Sequence, residues 1–278
     1  MMRNPILLKE FRQRMRTVRA PMVVTGYVAS MAVLTFLLLY ENVQGQLYLI
    51  QPSRSEQVFF VLSLLQMLVV AFLTPAFSAG SMSGERERRT LAVLLTTPLS
   101  PFSILFGKVL ASSALQCLLL MASLPLYSLV FLFGGAVPQE VVAVLLFQLF
   151  TIFIVATISV MWSTIALRSG WSTVLSYATV SFMILVTGTV GLGLQSLAKN
   201  PVDGFAASWG HTLLSLNPLW VEAALENAVH GGTLPWVTFA LFYVIIALIL
   251  TPFCLWRLRP QWLRRIPGAT RMNERNYQ

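Results

Sequence analysis

The sequence predicts an all-α, polytopic membrane protein with six transmembrane helices. First, the 278-residue chain is 56% apolar and only 10% charged, which leaves little material for a soluble domain. Second, it contains six apolar runs long enough to cross the hydrocarbon core of a bilayer, which takes roughly 20 helical residues. Third, its basic residues gather in alternate connecting segments. The predicted spans are residues 21–40, 57–80, 105–133, 141–167, 171–194 and 236–256, within a single transmembrane domain over 1–278.

The positions of lysine and arginine predict that both termini face the cytoplasm. Basic residues in short loops are retained on that side, and all but two of the 19 lysines and arginines fall on one face, Arg54 and Lys199 being the exceptions. Several acidic residues, Glu222 and Glu226 among them, are assigned to the outer side. The net charge of +9 is therefore explained by topology in the cytoplasmic (inner or plasma) membrane and by contact with anionic lipid, and no nucleic-acid partner is expected.

The segment before the first span, residues 4–19, has the pattern of an interfacial helix. Apolar residues occupy one arc of a helical wheel, while most of the basic residues lie outside it. The arc is formed by Leu7, Leu8, Phe11, Met15 and Val18. The alternative is a basic flank that only sets the topology, which needs charge but no periodicity. The apolar stripe favours an interfacial helix whose basic side meets lipid phosphates.

The segment between the second and third spans carries the most specific pattern in the chain. Ser83 can cap a helix whose first turn holds Glu85 and Glu87, where carboxylates face the positive end of the helix dipole. Thr97-Pro98 ends this helix, since the residue before proline disfavours helical geometry, and Ser100-Pro101 begins the next one. An apolar edge at helical spacing lies between these signals, formed by Leu91, Leu94 and Leu95.

We therefore expect a short amphipathic helix over 84–96, lying parallel to the membrane. A charged helix that is rigidly joined to two spans can receive force from a soluble partner and pass it to the membrane part. The alternative is a solvated loop whose charges only set the topology. The physical pattern by itself favours neither interpretation.

A family resemblance favours the amphipathic helix that receives force over the solvated loop. The signature found between the second and third spans of ABC type-2 exporter permeases resembles Gly84-Glu85-Arg86-Glu87, Thr90-Leu91, Leu94-Leu95, Thr97-Pro98-Leu99-Ser100, Ile104 and Gly107-Lys108. Asn4-Pro5 with Lys9-Glu10-Phe11-Arg12 is similar to the interfacial, or elbow, helix of that family. Leu216-Asn217-Pro218-Leu219 with Glu222-Ala223-Ala224-Leu225 is similar to its outer segment before the last span. One departure is Arg89, because many relatives have glycine directly before the Thr-Leu pair.

The resemblance implies a permease that exports an unidentified substrate. It would pair with a second permease subunit, identical or homologous, and with two cytoplasmic ATP-binding cassette subunits that bind the ATP, so the chain itself needs no cofactor. The resemblance places the contact with the ATPase on Glu85, Arg86, Glu87, Arg88, Thr90, Leu91 and Leu94. It assigns Lys9, Glu10, Phe11 and Arg12 to the elbow helix.

The residues themselves also indicate an external source of energy. The sequence lacks the Gly-x-x-x-x-Gly-Lys-Ser/Thr phosphate loop, so we expect no nucleotide hydrolysis and no catalytic residues in this chain. Lys108, Glu140 and Arg168 lie close to span ends, and the span interiors offer only neutral polar groups such as Gln66 and Gln148. We therefore expect no proton or ion relay in the spans, and a transporter of this kind needs an energised partner.

Small residues offer surfaces for close helix approach in the first and fifth spans. Gly26 and Ser30 lie in the first, and Gly188 and Gly191 in the fifth. The family has its permease–permease contact on these two spans, so the four residues are candidates for a subunit contact. Packing within one subunit is at least as compatible with the sequence.

The outer segment, residues 195–235, is expected to contain short helices, and residues 257–278 form the predicted cytoplasmic tail. Asn217 and Pro218 can cap and begin one outer helix, which would dip into the outer leaflet and roof the transport path. Glu226 and His230 lie one helical turn apart. Two ligands without a third do not make a metal site, so we interpret them as a solvent-exposed pair.

Two alternatives from other functional classes are less well supported. An intramembrane hydrolase would combine Glu85 or Glu87 with His211 or His230, but the predicted topology puts the carboxylates and the imidazoles on opposite sides of the membrane. A non-transporting anchor or sensor that recruits an ATPase is compatible with the same sequence features.

Overall fold

The computed structural model confirms an all-α membrane protein with six helices that are long and apolar enough to span a bilayer. It describes residues 19–43, 52–91, 100–132, 137–197, 204–227 and 235–258. The predicted elbow helix, with Lys9, Glu10, Phe11 and Arg12, lies outside these residues. So do His230 and nearly all of the predicted tail.

Ten α-helices succeed one another along the described residues. They are α1 (Arg19–Val43), α2 (Pro52–Ser78), α3 (Ser83–Glu87), α4 (Pro101–Leu132), α5 (Pro138–Ile165), α6 (Ser169–Ser181), α7 (Thr187–Leu197), α8 (Gly204–Leu214), α9 (Pro218–Asn227) and α10 (Pro235–Arg257). A five-residue π-helical turn, Phe182–Val186, joins α6 to α7 into one span. The other spans are α1, α2, α4, α5 and α10.

The bundle is built around α5, which packs against α2, α4, α6, α9 and α10. Half of the most apolar stretch of α5 is buried inside the protein, against 11% for α1 and 17% for α10. Large apolar side chains on those two peripheral helices point outward, including Phe36, Leu37, Leu248 and Ile249. In a bilayer such side chains face lipid, so α1 and α10 form the lipid-facing or partner-facing sides of the subunit.

Proline residues begin several of the spans, as expected at positions where the missing N–H costs no helical hydrogen bond. The third span begins at Pro101, and the hydroxyl of Ser100 accepts a hydrogen bond from the N–H of Ser103 at 3.2 Å. This confirms Ser100-Pro101 as a helix start. The span therefore begins four residues before the apolar run predicted from residue 105, because the Ser-Pro start places Pro101 in the first turn of the same helix.

Helix α9, in the segment before the last span, is anchored at its start to two spans. The Asn217 side chain accepts a hydrogen bond from the N–H of Leu219 at 2.9 Å, which confirms the predicted cap. Its amide group donates to the carbonyl of Ile184 at 2.8 Å, within the π-helical turn. The Tyr243 hydroxyl on α10 donates to the Leu216 carbonyl at 3.0 Å. Since a π-helical turn disturbs the regular hydrogen-bond ladder, its carbonyl is accessible to such a partner.

From this anchor α9 runs into the bundle rather than over it. It packs against α2, α5 and α10, and Val221 and Glu222 are both fully buried. Glu226, one turn further on, is only 9% exposed. The interpretation of Glu226 as part of a solvent-exposed pair is therefore wrong. The charge of Glu226 suggested a position in water, and only the packing of α9 reveals where this side chain lies.

The four small residues of the first and fifth spans divide into two groups. A side chain at Gly26 would meet nothing within 4 Å, and Ser30 is exposed, so both are accessible to a neighbour outside the subunit. At Gly188 an added Cβ would lie 2.8 Å from the Asn217 amide nitrogen, and at Gly191 it would lie 2.7 Å from Leu214. The two glycines of α7 thus make room for the outer helices of the same subunit.

Replacing Gly191 with alanine should destabilise the fold, because the new methyl group would overlap Leu214 and lie 3.3 Å from its backbone nitrogen. Overpacking of this kind costs about 1–3 kcal/mol, which a thermal unfolding measurement in detergent can detect. Gly193→Ala is the matched control, since nothing lies within 4 Å of its position. Equal melting temperatures for the two variants would contradict the close approach of α8 to α7.

Candidate functional site: the junction after the second span

One end of the bundle carries every lysine and arginine whose side chain the structure describes. At this end, termed the basic face, α2 and α5 finish and α4 and α6 begin. Its basic residues are Arg86, Arg88, Arg89, Lys108, Arg168 and Arg257. The segment from residue 79 to residue 91, termed the junction, continues the chain directly after α2 and contains the five-residue helix α3.

A serine from another span begins α3. The backbone N–H groups of Met82 and Ser83 donate to the Ser163 hydroxyl of α5 at 3.0 and 2.9 Å. The Ser83 hydroxyl lies 3.0 Å from the same oxygen. Ser83 was expected to be the N-cap, but it occupies the first helical position and the cap position belongs to Met82. The acceptor that satisfies the first N–H groups therefore comes from tertiary structure, which a local sequence pattern does not reveal.

A Schellman motif ends α3 after Glu87. The N–H of Thr90 donates to the Glu85 carbonyl at 2.9 Å, and the N–H of Arg89 donates to the Arg86 carbonyl at 3.1 Å. Arg89 has a φ of 58°, in the left-handed region where glycine is the usual residue. Residue 91 is helical again. The helix expected over 84–96 is thus interrupted at 88–90, and residues 92–99, including Leu94, lie outside the described part of the chain.

The Glu85 carboxylate connects the junction to α4. It pairs with the ammonium group of Lys108 at 2.8 Å. Lys108 is 1% exposed, although lysine is among the residues that are least often fully buried. A buried lysine of this kind needs a carboxylate partner, because an uncompensated charge in the interior costs several kcal/mol. The ion pair therefore fixes the position of α3 relative to the start of the third span.

The next two charged residues bind helix ends. The Arg86 guanidinium donates to the carbonyls of Thr164, at 3.0 Å, and Ala166, where α5 ends. The Glu87 carboxylate accepts hydrogen bonds from the N–H and the hydroxyl of Ser169, both at 2.7 Å, where α6 begins. A cation at the end of one helix and an anion at the start of another both match the partial charges of the helix termini.

Apolar packing completes the attachment of the junction. Leu91 is 5% exposed and belongs to a buried cluster drawn from the junction, from α4 and α5, and from the residue after α10, with further members Met82, Ile104, Leu105, Val109, Ala156, Val160 and Leu258. In contrast, Arg88, Arg89 and Thr90 are exposed. Of the residues that the resemblance assigned to an ATPase contact, Leu91 thus packs inside this chain, whereas these three point away from it.

The remaining described candidates for the ATPase contact also have partners within this chain. Glu85, Arg86 and Glu87 all bind other parts of this chain. The partners of Arg86, at the end of α5, and of Glu87, at the start of α6, could not be identified from the sequence. Two of those partners are backbone carbonyls, which carry no signal in a sequence. Among the described residues no group of three or more histidine, cysteine, aspartate or glutamate side chains could hold a metal ion.

Comparison with known proteins identifies the family. The sequence model of a family described as ABC-2 family transporter protein matches residues 4–260. The chain belongs to this family. No curated protein matches the sequence. As an ABC-2 permease, it is a multi-pass membrane subunit of a transporter, and membership of the family implies association with ABC ATPase subunits.

Arg89→Gly should raise the stability of this ABC-2 permease. A non-glycine residue in the left-handed region costs about 1 kcal/mol, which glycine avoids. Arg88 is the matched control, because its φ of −76° suits any residue and Arg88→Gly should leave the stability unchanged or lower it through chain entropy. Thermal unfolding of both variants in detergent measures the difference. A less stable Arg89→Gly protein would contradict the turn geometry.

Proposed function

We propose that this chain is the permease subunit of an ATP-binding cassette exporter. It moves an unidentified substrate across the cytoplasmic membrane with a second permease subunit, identical or homologous, and two ATPase subunits that hydrolyse the ATP. One observation supports this proposal most directly. The junction is bound to three spans by an ion pair and hydrogen bonds, while Arg88, Arg89 and Thr90 are exposed on its other side.

The contacts behind the junction make it suited to transmit force. Glu85 binds α4, Arg86 binds the end of α5 and Glu87 binds the start of α6. Separation of Glu85 from Lys108 would leave a buried ammonium group without its partner, so a push on α3 displaces the ends of these helices together instead of bending a loop. ATP-driven closure of the ATPase pair would thereby reach three spans at once.

The structure suggests a division of work within the predicted coupling residues. Glu85, Arg86, Glu87 and Leu91 hold the junction in place. The ATPase contact falls on Arg88, Arg89 and Thr90. Leu94, which follows the junction and lies outside the described residues, belongs to the same proposed contact. Two exposed arginines side by side are complementary to an acidic surface, and such a pairing sets orientation and association rate more than affinity.

The basic face is proposed to be the cytoplasmic one. The lysine and arginine side chains described all lie there, and the positive-inside rule assigns such a face to the cytoplasm. Both chain termini are then cytoplasmic, and α8 and α9 lie on the outer side. The ATPase subunits would approach the basic face.

Arg88→Glu should weaken binding of the ATPase subunits by about tenfold or more, because charge reversal puts a carboxylate opposite an acidic surface. Co-purification of the co-expressed subunits and ATP-driven substrate movement in vesicles measure the effect. Arg168→Gln is the control, since Arg168 is another exposed arginine of the basic face outside the junction, and a neutral side chain does not repel the nearby Glu87 carboxylate. An equal loss in both variants would refute a specific contact at Arg88. ATP hydrolysis without substrate movement would instead favour a non-transporting anchor.

Orientation can be tested separately with a small tag. A tag at position 200 should be accessible from outside the cell, and a tag at position 278 only after permeabilisation. The reason is the number of spans that separate each position from the basic face. The opposite labelling pattern would place the basic face outside and overturn the proposed topology.

A further inference from the structure

The outer helix α9 carries two glutamates on the face that it buries in the bundle. Glu222 is 0% exposed and Glu226, one turn further along the same face, is 9% exposed. Glutamate is among the residues least often buried, and then it is normally paired with a cation. A pair of buried carboxylates on one helix face therefore requires an explanation that helix packing alone does not supply.

Both carboxyl groups bind the spans on which α9 rests. The Gln148 amide of α5 donates to Glu222 Oε1 at 2.6 Å and, at 3.2 Å, to the carbonyl of Ser63 on α2. The Ser63 hydroxyl donates to Glu226 Oε1. Two neighbouring residues, Ser63 and Gln148, thus join α9 to α2 and α5 through the two carboxyl groups.

Nothing basic faces this pair among the side chains that the structure describes. The lysines and arginines with described side chains all lie on the basic face, at the other end of the bundle. The acidic groups that act on Glu226 are Glu56, at the start of α2, and Glu140, at the start of α5. Both oppose its ionisation, and the two carboxyl groups of α9 oppose each other's ionisation.

Hydrogen bonding also leaves the ionised pair incomplete. Glu222 Oε2 and Gln148 Oε1 are buried acceptors that no donor meets in good hydrogen-bond geometry, and a buried hydroxyl, that of Tyr127 on α4, interacts with the Gln148 side chain. That hydroxyl has one proton and can serve only one of the two acceptors. A proton on Glu222 supplies the missing donor and removes a buried charge at the same time.

We propose that Glu222 and Glu226 form a proton-binding site that holds α9 against α2 and α5, and that α9 releases a proton to the outer water when it withdraws. The O–H bond of the carboxyl group breaks, the proton passes to water, and the carboxylate is hydrated. Among the described residues no third acidic, histidine or cysteine side chain joins the two carboxyl groups to make a metal site, so a proton is the cation proposed. The outward direction of release rests on the proposed function, which places α9 on the outer side.

The sign of the pH dependence is set by the environment of the pair. Burial raises the pKa of Glu226 to about 7 from its ordinary value of 4.5, and burial also raises the pKa of Glu222 well above that value. A group with a raised pKa in the docked state stabilises docking below its ordinary pKa, and this stabilisation is lost as the pH rises through the raised pKa. Docking of α9 is therefore strongest at acidic pH and weakens between about pH 4.5 and 7 at Glu226.

Infrared titration of the whole chain in lipid nanodiscs tests the protonation directly. A protonated carboxyl group has its own carbonyl stretching band. We expect one such band that persists at neutral pH and disappears in Glu222→Gln, and a second that titrates near pH 7 and disappears in Glu226→Gln. Glu140→Gln is the matched control and should remove neither. Absence of both bands in the wild-type protein at pH 6 would overturn the proposal, whether or not any variant folds.

Thiol labelling of Val221→Cys from the outer water tests the movement. Val221 is fully buried on the docked helix, and Trp209→Cys, at an exposed position of α8, corrects for the pH dependence of the reagent. The corrected labelling rate should rise at least about tenfold between pH 5 and pH 7. Glu222→Gln with Glu226→Gln, which mimics the protonated pair, should remove that rise. A labelling rate that does not change with pH in the wild-type protein would refute the proposed pH-dependent docking of α9.

The infrared outcome is independent of the proposed transport function. The infrared bands need no orientation, ATPase or substrate, so their presence with failed ATPase binding would leave the proton site intact and reject only the exporter. Conversely, ATP-driven transport by a protein without the bands would reject only the proton site.

Discussion

The constraint on which this structure depends is the absence of water from the hydrocarbon core. A polar group that enters the membrane region must find its partner within the protein, or it costs several kcal/mol. Spans meet this requirement along their length through helical hydrogen bonds, but the ends of the helices and the segments between them do not. In this chain the connecting segments supply the missing partners, and they do so with charged or amide side chains.

At both ends of the bundle, charged or amide side chains of the connecting segments bind polar groups of the spans. On the basic face, Arg86 binds carbonyls at the end of α5, and Glu87 binds the start of α6. At the opposite end, Asn217 binds a carbonyl of the π-helical turn, and Glu222 binds Gln148 of α5. The residues that carry the resemblance to ABC-2 permeases are thus largely those that join a connecting segment to the spans. The proposed function depends on this attachment, because a push on the exposed surface of the junction would then reach the spans behind it.

The sequence predicted the spans well because hydropathy averages over many residues, so an error of a few positions at one end does not change the result. It failed where one residue's partner decides the structure. Ser83 has the features of a helix cap, but Ser163 takes that role. The turn at Arg89 has no local signal, since arginine rarely adopts a positive φ and glycine would have marked the position. Glu226 was assigned to water because charge normally indicates exposure.

The sequence by itself determined the helical class, the number of spans and the clustering of basic residues on one face, because length, apolar content and charge are properties of the chain and need no partner. Only the tertiary structure decided which charged residues are exposed and which bind helix ends. It decided that Glu85 holds a buried lysine, and that α9 enters the bundle with two carboxyl groups. The physical reason is that burial and pairing depend on segments that lie far apart in sequence. Many of the groups that these segments contribute are backbone carbonyls and N–H groups, which do not identify a particular residue.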